Sequence, residues 1–192
     1  MAGFVGTMTI SNITYYENLP FDQYLKLPGF SYSTLKNNGV PFGEPTEKMR
    51  LGTAVHNYLL EPHLFDHSNK RAKQLALLVK GIIGPMLQFM EAELSFTATM
   101  EHEGFVMPYK GRADLAIRKR LIIDLKVTEM DARKAIDFFG YQHAITGYMA
   151  GCAAPTAFIA SINSKKETTQ VISIAPVSQF WNEKILQFGW PK

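Results

Sequence analysis

The sequence predicts an α+β (mixed α/β) domain with a central mixed sheet flanked by helices. Three observations carry that prediction. Helical periodicities dominate residues 31–92, three strand-like runs follow between 93 and 127, and a long helical pattern then precedes a second strand pair and a closing helix. The 192 residues suffice for one sizeable core, and 46% hydrophobic with 19% charged residues is the composition of an ordinary folded domain. No repeat, low-complexity stretch or linker divides the chain. A single domain over 1–192 is therefore expected, with 1–30 as an N-terminal extension and the core over about 31–188.

The elements follow in order. Residues 1–30 alternate weakly and hold Pro20, Pro28 and Gly29, which reads as a short strand and loops. SYSTLKNNG (31–39) opens on hydroxyls able to cap a short helix and stops at Asn37-Asn38-Gly39. MRLGTAVHNYLLEP (49–62) spaces Met49, Leu51, Val55, Leu59 and Leu60 as a helix until Pro62. Residues 70–92 repeat the pattern, with Gly81 and Gly84-Pro85 predicting a break or kink. ELSFTATM (93–100), GFVMPYKGRADLAI (104–117) and LIIDLKV (121–127) read as three antiparallel strands. One helix is predicted from about Asp131 to Cys152, capped by Thr128 or Asp131. TAFIASIN (156–163) and QVISIAP (170–176) are strands joined by the polar loop SKKETT, and a helix closes the chain over about 178–188.

Composition removes several classes of function. A single cysteine, Cys152, rules out a disulfide framework, a multi-cysteine zinc site and an iron–sulfur cluster. No run approaches 18 apolar residues and no basic segment leads an apolar one near the start, so neither a membrane span nor a signal peptide is expected. A cytoplasmic protein is the simplest reading. The net charge of +3 is compatible with a nucleic-acid partner and does not establish one.

The chemistry concentrates in KGRADLAIRKRLIIDLKV (110–127), a predicted hairpin with charges inside apolar strands. Alternation puts Asp124 and Lys126 on one face of their strand. With Arg118-Lys119-Arg120 as a three-residue turn, Asp114 falls opposite Asp124, with Cβ atoms about 4.5–5.5 Å apart. Two desolvated carboxylates there repel, and a hard divalent cation such as Mg²⁺ between them removes the conflict. Lys126 then orients or deprotonates a water, or stabilises charge on a phosphate. The plain alternative is a solvated face with an ion pair from Lys126 to either aspartate. LIIDLKV is apolar on both faces, which suits a buried strand with a polar pocket at one end.

Asp114 followed by Asp124-x-Lys126 on a hydrophobic strand resembles the PD-(D/E)xK nuclease core. More narrowly, the chain resembles the RecE-like and lambda-exonuclease-like phage exonucleases and is similar to the RecB nuclease domain. SYSTLK (31–36), RLGTAVHNYLLEP (50–62), GRADL (111–115), IIDLKV (122–127) and YQHAITGYMAG (141–151) stand in the family's order, from Ser31 to Gly151.

The resemblance implies a restriction-endonuclease-like core and a metal-dependent deoxyribonuclease, most specifically a double-strand exonuclease serving recombination or end processing. An endonuclease or single-strand nuclease of the same fold and a non-catalytic DNA-binding module are the alternatives. By position it implies His56, Asp114, Asp124 and the carbonyl of Val127 or its neighbour as ligands of Mg²⁺ (Mn²⁺ as substitute), and Asp114, Asp124 and Lys126 as the catalytic set. DNA is the implied partner, with a single-strand annealing protein and a homo-oligomer as further expectations. Ser31, Ser33, Arg50 and Arg112 are candidate phosphate contacts, against capping or solvent exposure for the first three and an ion pair with a neighbouring acid for Arg112. The relatives carry Gln-x-x-x-Tyr, whereas Gln142 and Tyr148 are six apart. Six residues at about 100° each turn them some 120° from one another, so one of the two faces DNA. Ala113 stands where relatives often have proline. Glu61 reads as a solvated helix end, with a minor role in a second metal shell as the alternative, and Phe138, Phe139 and Tyr141 read as core rather than as stacking platforms.

Overall fold

The computed structural model describes residues 8–38 and 43–192, so Gly39, the expected helix stop, lies outside the described residues. Strands β1 (Thr9–Tyr16), β2 (Glu91–His102), β3 (Phe105–Ile117), β4 (Leu121–Thr128), β5 (Thr156–Asn163) and β6 (Thr168–Ser173) form one sheet in that order, and β7 (Trp190–Pro191) joins β3. Only β4 and β5 pair in parallel among these strands. The segment expected as an extension thus supplies the edge strand, and the terminal Trp190-Pro191 docks on Phe105 and Val106.

Two turns set the register. Glu103 and Gly104, both at positive φ, make the two-residue turn that a right-twisted hairpin favours and lock β2 onto β3. Arg118-Lys119-Arg120 is the three-residue turn anticipated, and Leu115, Ala116 and Ile117 pair with Ile123, Ile122 and Leu121. The ladder then stops, and β3 and β4 fork where Asp114 and Asp124 would pair next.

Helices cover both faces. On one side α3 (Glu47–Leu60) and α4 (Lys70–Leu87) pack Val55, Leu75, Val79 and Ile83 against Leu115, Ile123, Leu125 and Ile162. Thr46 and Asn69 cap them, accepting from the backbone N–H of Met49 and Ala72. No break occurs at Gly81 or Gly84, because the buried stripe Ala72, Leu75, Ala76, Val79 and Ile83 holds α4 to the sheet. Pro85 sits in its last turn and removes one bond, to the carbonyl of the exposed Gly81, which water can satisfy. Among the described residues no helix is long and apolar enough to cross a membrane. Shorter helices α1 (Phe21–Lys26) and α2 (Tyr32–Lys36) lead into the fork, where Phe30 bridges to Tyr109.

The other face shows a correction. The single helix expected from 131 to 152 is two, α5 (Ala132–Phe139) and α6 (Tyr141–Gly151), because Gly140 takes a left-handed conformation at φ 65°. Asp131 caps α5, and the Thr128 hydroxyl instead accepts from the Met130 N–H. With α7 (Gln179–Phe188), α6 packs Ile145, Met149, Trp181 and Ile185 on Phe96, Tyr109 and Ile122. A Cβ at Gly151 would lie 1.9 Å from Phe96 Cε2, so the α6 backbone rests directly on the sheet.

Gly140 offers a stability test. Alanine there adopts the left-handed region at a cost of about 1–2 kcal/mol, and its Cβ would meet Tyr32 Oη at 2.8 Å. Gly140→Ala is expected to lower the urea midpoint accordingly, and an unchanged midpoint would contradict the strained corner.

Candidate active site

The fork assembles the acids in a row across three strands. The pairs Ala92–Leu115 and Leu94–Ala113 put Glu93 of β2 opposite Asp114 of β3, and the register of β3 with β4 puts Asp124 on the far side. Glu93 adopts φ 51°, a left-handed kink within the strand. One oxygen of Asp114 accepts from the Leu125 N–H at 2.6 Å, so this carboxylate replaces a ladder bond where the strands part.

Helix α3 lays His56 over this row. Its Nδ1 is 3.7 Å from Asp114 Oδ1 and 3.9 Å from Glu93 Oε1, while Nε2 is 3.1 Å from the Leu125 carbonyl. A carbonyl only accepts, so Nε2 carries a proton and Nδ1 is the atom turned to the acids. Among the described residues, His56, Glu93 and Asp114 bring three ligand atoms within 4.8 Å of one another. Asp124 stands apart from that trio. It is 1% exposed, its Oδ2 meets Lys126 Nζ at 2.5 Å, and among the described residues no well-angled hydrogen-bond donor reaches that oxygen.

The electrostatics follow from burial. Burial is the largest influence on His56 and disfavours its charge, yet the nearby carboxylates of Asp114 and Glu93 outweigh it and raise the pKa to about 9. Burial raises Asp114 to about 6, with Asp124 adding to the rise and His56 opposing it. For Lys126 burial again opposes the charge, but Asp124 and Asp114 outweigh it and lift the pKa above its usual value. Lys126 is therefore an ammonium at neutral pH, suited to electrostatic stabilisation rather than to taking a proton. Burial pushes Glu93 up, but the nearby His56 and the Arg112 guanidinium prevail and hold it below the usual range.

Arg112 takes a place other than the phosphate contact that was one of its two expected readings. It is buried, donating to Glu93 Oε2 at 2.6 Å, Glu61 Oε1 at 3.2 Å and the Leu19 carbonyl at 2.5 Å. Glu61, expected to be solvated, is its half-buried partner. The backbone oxygen beside His56 and Lys126 is that of Leu125. Val127, the residue first expected to supply it, lies two residues on, roughly 7 Å further along the strand. Ser31 caps α2, and its hydroxyl bonds those of Ser33 and Thr34 at 2.8 Å. Arg50 is exposed in the first turns of α3, about 9 Å along the axis from His56.

On α6, Gln142 and Tyr148 are both half-buried. Burial and then the charge of Asp124 drive the Tyr148 phenol pKa well above its usual value. Gln142 Oε1 is buried and has no hydrogen-bond partner among the described residues. Tyr141, read from sequence as core, is seven residues from Tyr148 and so on the same face. Lys126 Nζ lies 5.2 Å from its ring centroid.

Glu93 and Tyr141 are the site residues that sequence reasoning missed. Both had a signal. The Glu-Gly turn at 103–104 dictates the register that sets Glu93 against Asp114, and the seven-residue spacing sets Tyr141 with Tyr148.

No protein-family model and no curated protein matches the chain. Among solved structures, a proposed exonuclease from Eubacterium rectale is similar at a TM-score of 0.54 and 19% identity, covering 85% of this chain and 71% of its own. The two chains share a fold. A phage-related exonuclease from Haemophilus somnus 129PT is similar at a TM-score of 0.44 and 15% identity, covering 81% of this chain and 73% of its own. At 19% identity the likeness to the Eubacterium rectale structure concerns the fold alone.

Proposed function

We propose that this protein is a metal-dependent deoxyribonuclease, most specifically a double-strand DNA exonuclease acting in recombination or end processing. The observation that carries the reading is the convergence of His56, Glu93 and Asp114 at the fork, with the Asp124–Lys126 pair beside them. The motif resemblance supports DNA as substrate. The exonuclease name of the solved structure with the same fold supports exonuclease action.

The donor set suits a divalent cation, Mg²⁺ with Mn²⁺ as substitute: one imidazole nitrogen and carboxylates aimed at a common point. His56, Asp114 and Glu93 would hold it, with Asp124 and the Leu125 or Val127 carbonyl completing the donors. When bound, such an ion polarises a phosphodiester and acidifies water. Lys126 holds its ammonium against charge developing on the phosphate, and Asp124 keeps it there. Arg112 fixes the Glu93 carboxylate. Ser31, Ser33, Arg50 and Tyr148 are proposed along the DNA path, and a homo-oligomer with an annealing protein as partner completes the reading.

The test compares end-labelled linear duplex with closed circular duplex, in Mg²⁺ or EDTA, for wild type and Lys126→Ala. Degradation of the linear DNA alone, abolished by EDTA and lowered about 10²–10³-fold by the substitution, is the expected result. Cutting of the circle would indicate an endonuclease, and DNA retention without cleavage a binding module. A second expectation concerns pH. The ion displaces the proton that His56 holds up to about pH 9, so Mn²⁺ affinity by calorimetry should rise about tenfold per pH unit below that value. A flat profile would remove His56 from the ligands.

A further inference from the structure

At the corner between α5 and α6 an aromatic row leads outward from the fork. Tyr141 receives Lys126 on its face, and Phe139 stacks on Tyr141 with centroids 5.3 Å apart and planes at 21°. Phe138 stands edge-on to Phe139 at 5.0 Å and leaves 73% of its surface exposed. Phe139 and Tyr141 are half-buried, so Phe138 is the solvent-facing end of an aromatic row that begins beside Lys126.

The corner is firmly built. Gly140 makes the left-handed turn, and Tyr32 Oη and Lys36 Nζ donate to the Phe139 carbonyl at 3.2 and 2.8 Å. Lys36 Nζ also lies 5.9 Å from the Phe139 ring, and it compensates the negative end of α5. Lys134, one turn before Phe138, and Arg133 are exposed on the same helix, which also carries the exposed acids Asp131 at its cap and Asp137. Aromatic faces among cations, continuous with the Lys126 ammonium, match a nucleic-acid strand whose bases are free to stack.

We propose that Phe138 and Phe139 form a stacking platform for unpaired nucleotides of a DNA strand at the active site, with Lys36 and Lys134 meeting the phosphates. This rests on the deoxyribonuclease reading and adds a single-strand subsite to it.

The test is fluorescence anisotropy in EDTA, where no cleavage occurs, with labelled oligothymidylate, a duplex bearing an unpaired tail, and a blunt duplex. Phe138→Ala should weaken the first two by about 5- to 100-fold relative to blunt duplex, the effect of losing one stacked base. Phe138→Trp should bind them at least as well as wild type, and Phe138→Leu should resemble the alanine variant.

A leucine variant equal to wild type, or an equal loss on all three DNAs, would overturn the platform. So would a change in sedimentation with single-strand affinity unaltered, which would make Phe138 a contact between copies. If wild type degrades duplex with Mg²⁺ yet no Phe138 variant alters single-strand binding, the platform alone fails. A wild type that binds none of the three DNAs would remove the deoxyribonuclease reading with it.

Discussion

Asp114→Asn is expected to lower metal-dependent cleavage of linear duplex by about 10³-fold while leaving a folded protein. The substitution is chosen for what it keeps. Asp114 has two tasks: one oxygen accepts from the Leu125 N–H at 2.6 Å, and the other faces His56 Nδ1 at 3.7 Å. An asparagine carbonyl still accepts from Leu125, so the fork stays closed. The amide nitrogen then points a donor where a negative oxygen stood, removing both the attraction for a cation and a charge facing His56. A lost metal ligand is worth several kcal/mol of transition-state stabilisation, and each 1.4 kcal/mol is about tenfold. Single-turnover cleavage with Mg²⁺ and Mn²⁺ reads the effect, and circular dichroism reads the fold. More than a tenth of wild-type activity would take Asp114 out of the ligand set. Asp114→Ala is less informative, because it also leaves a buried N–H unpaired at about 1–3 kcal/mol.

How much of this was legible in the sequence depends on the range of the interaction. The Asp114–Asp124 register was readable because a three-residue turn and strict alternation settle it locally, and the pairs Leu115–Ile123 to Ile117–Leu121 follow it. The fork was not readable. Whether two opposed carboxylates pair or part depends on His56, 58 and 68 positions before them, and on an N–H that Asp114 captures from Leu125. The helix break at Gly140 was missed because glycine within an apolar pattern has no sign of its own; only the contact with Tyr32 shows why the chain turns there. Glu93 was missed for a different reason. Its strand reads as apolar, and the acid acquires meaning only through the partner that the 103–104 turn brings opposite. The parallel pairing of β4 with β5 likewise needs the crossover through α5 and α6, which periodicity does not specify.

Arg112→Ala is expected to destabilise the protein by about 3–5 kcal/mol, a large share of the roughly 5–15 kcal/mol that holds a domain of this size folded. The guanidinium is 7% exposed and neutralises two acids, Glu93 at 2.6 Å and Glu61 at 3.2 Å, that arrive from different elements. Removing it leaves Glu93 beside Asp114 with only the partly shared charge of His56 to balance the pair. That uncompensated charge, more than the lost hydrogen bonds, sets the magnitude. Urea denaturation of Arg112→Ala, Glu61→Gln and the double variant separates the contributions. The double should be less destabilised than the sum of the singles, by about 0.5–3 kcal/mol of coupling, because Glu61 without its charge no longer needs Arg112. The competing role, a phosphate contact, has an opposite signature: stability within about 0.5 kcal/mol of wild type, weaker binding to every DNA sequence, and a salt dependence shallower by about one ion. A guanidinium anchored by two carboxylates and the Leu19 carbonyl has few donors left for a phosphate, so the stability loss is the result the geometry requires.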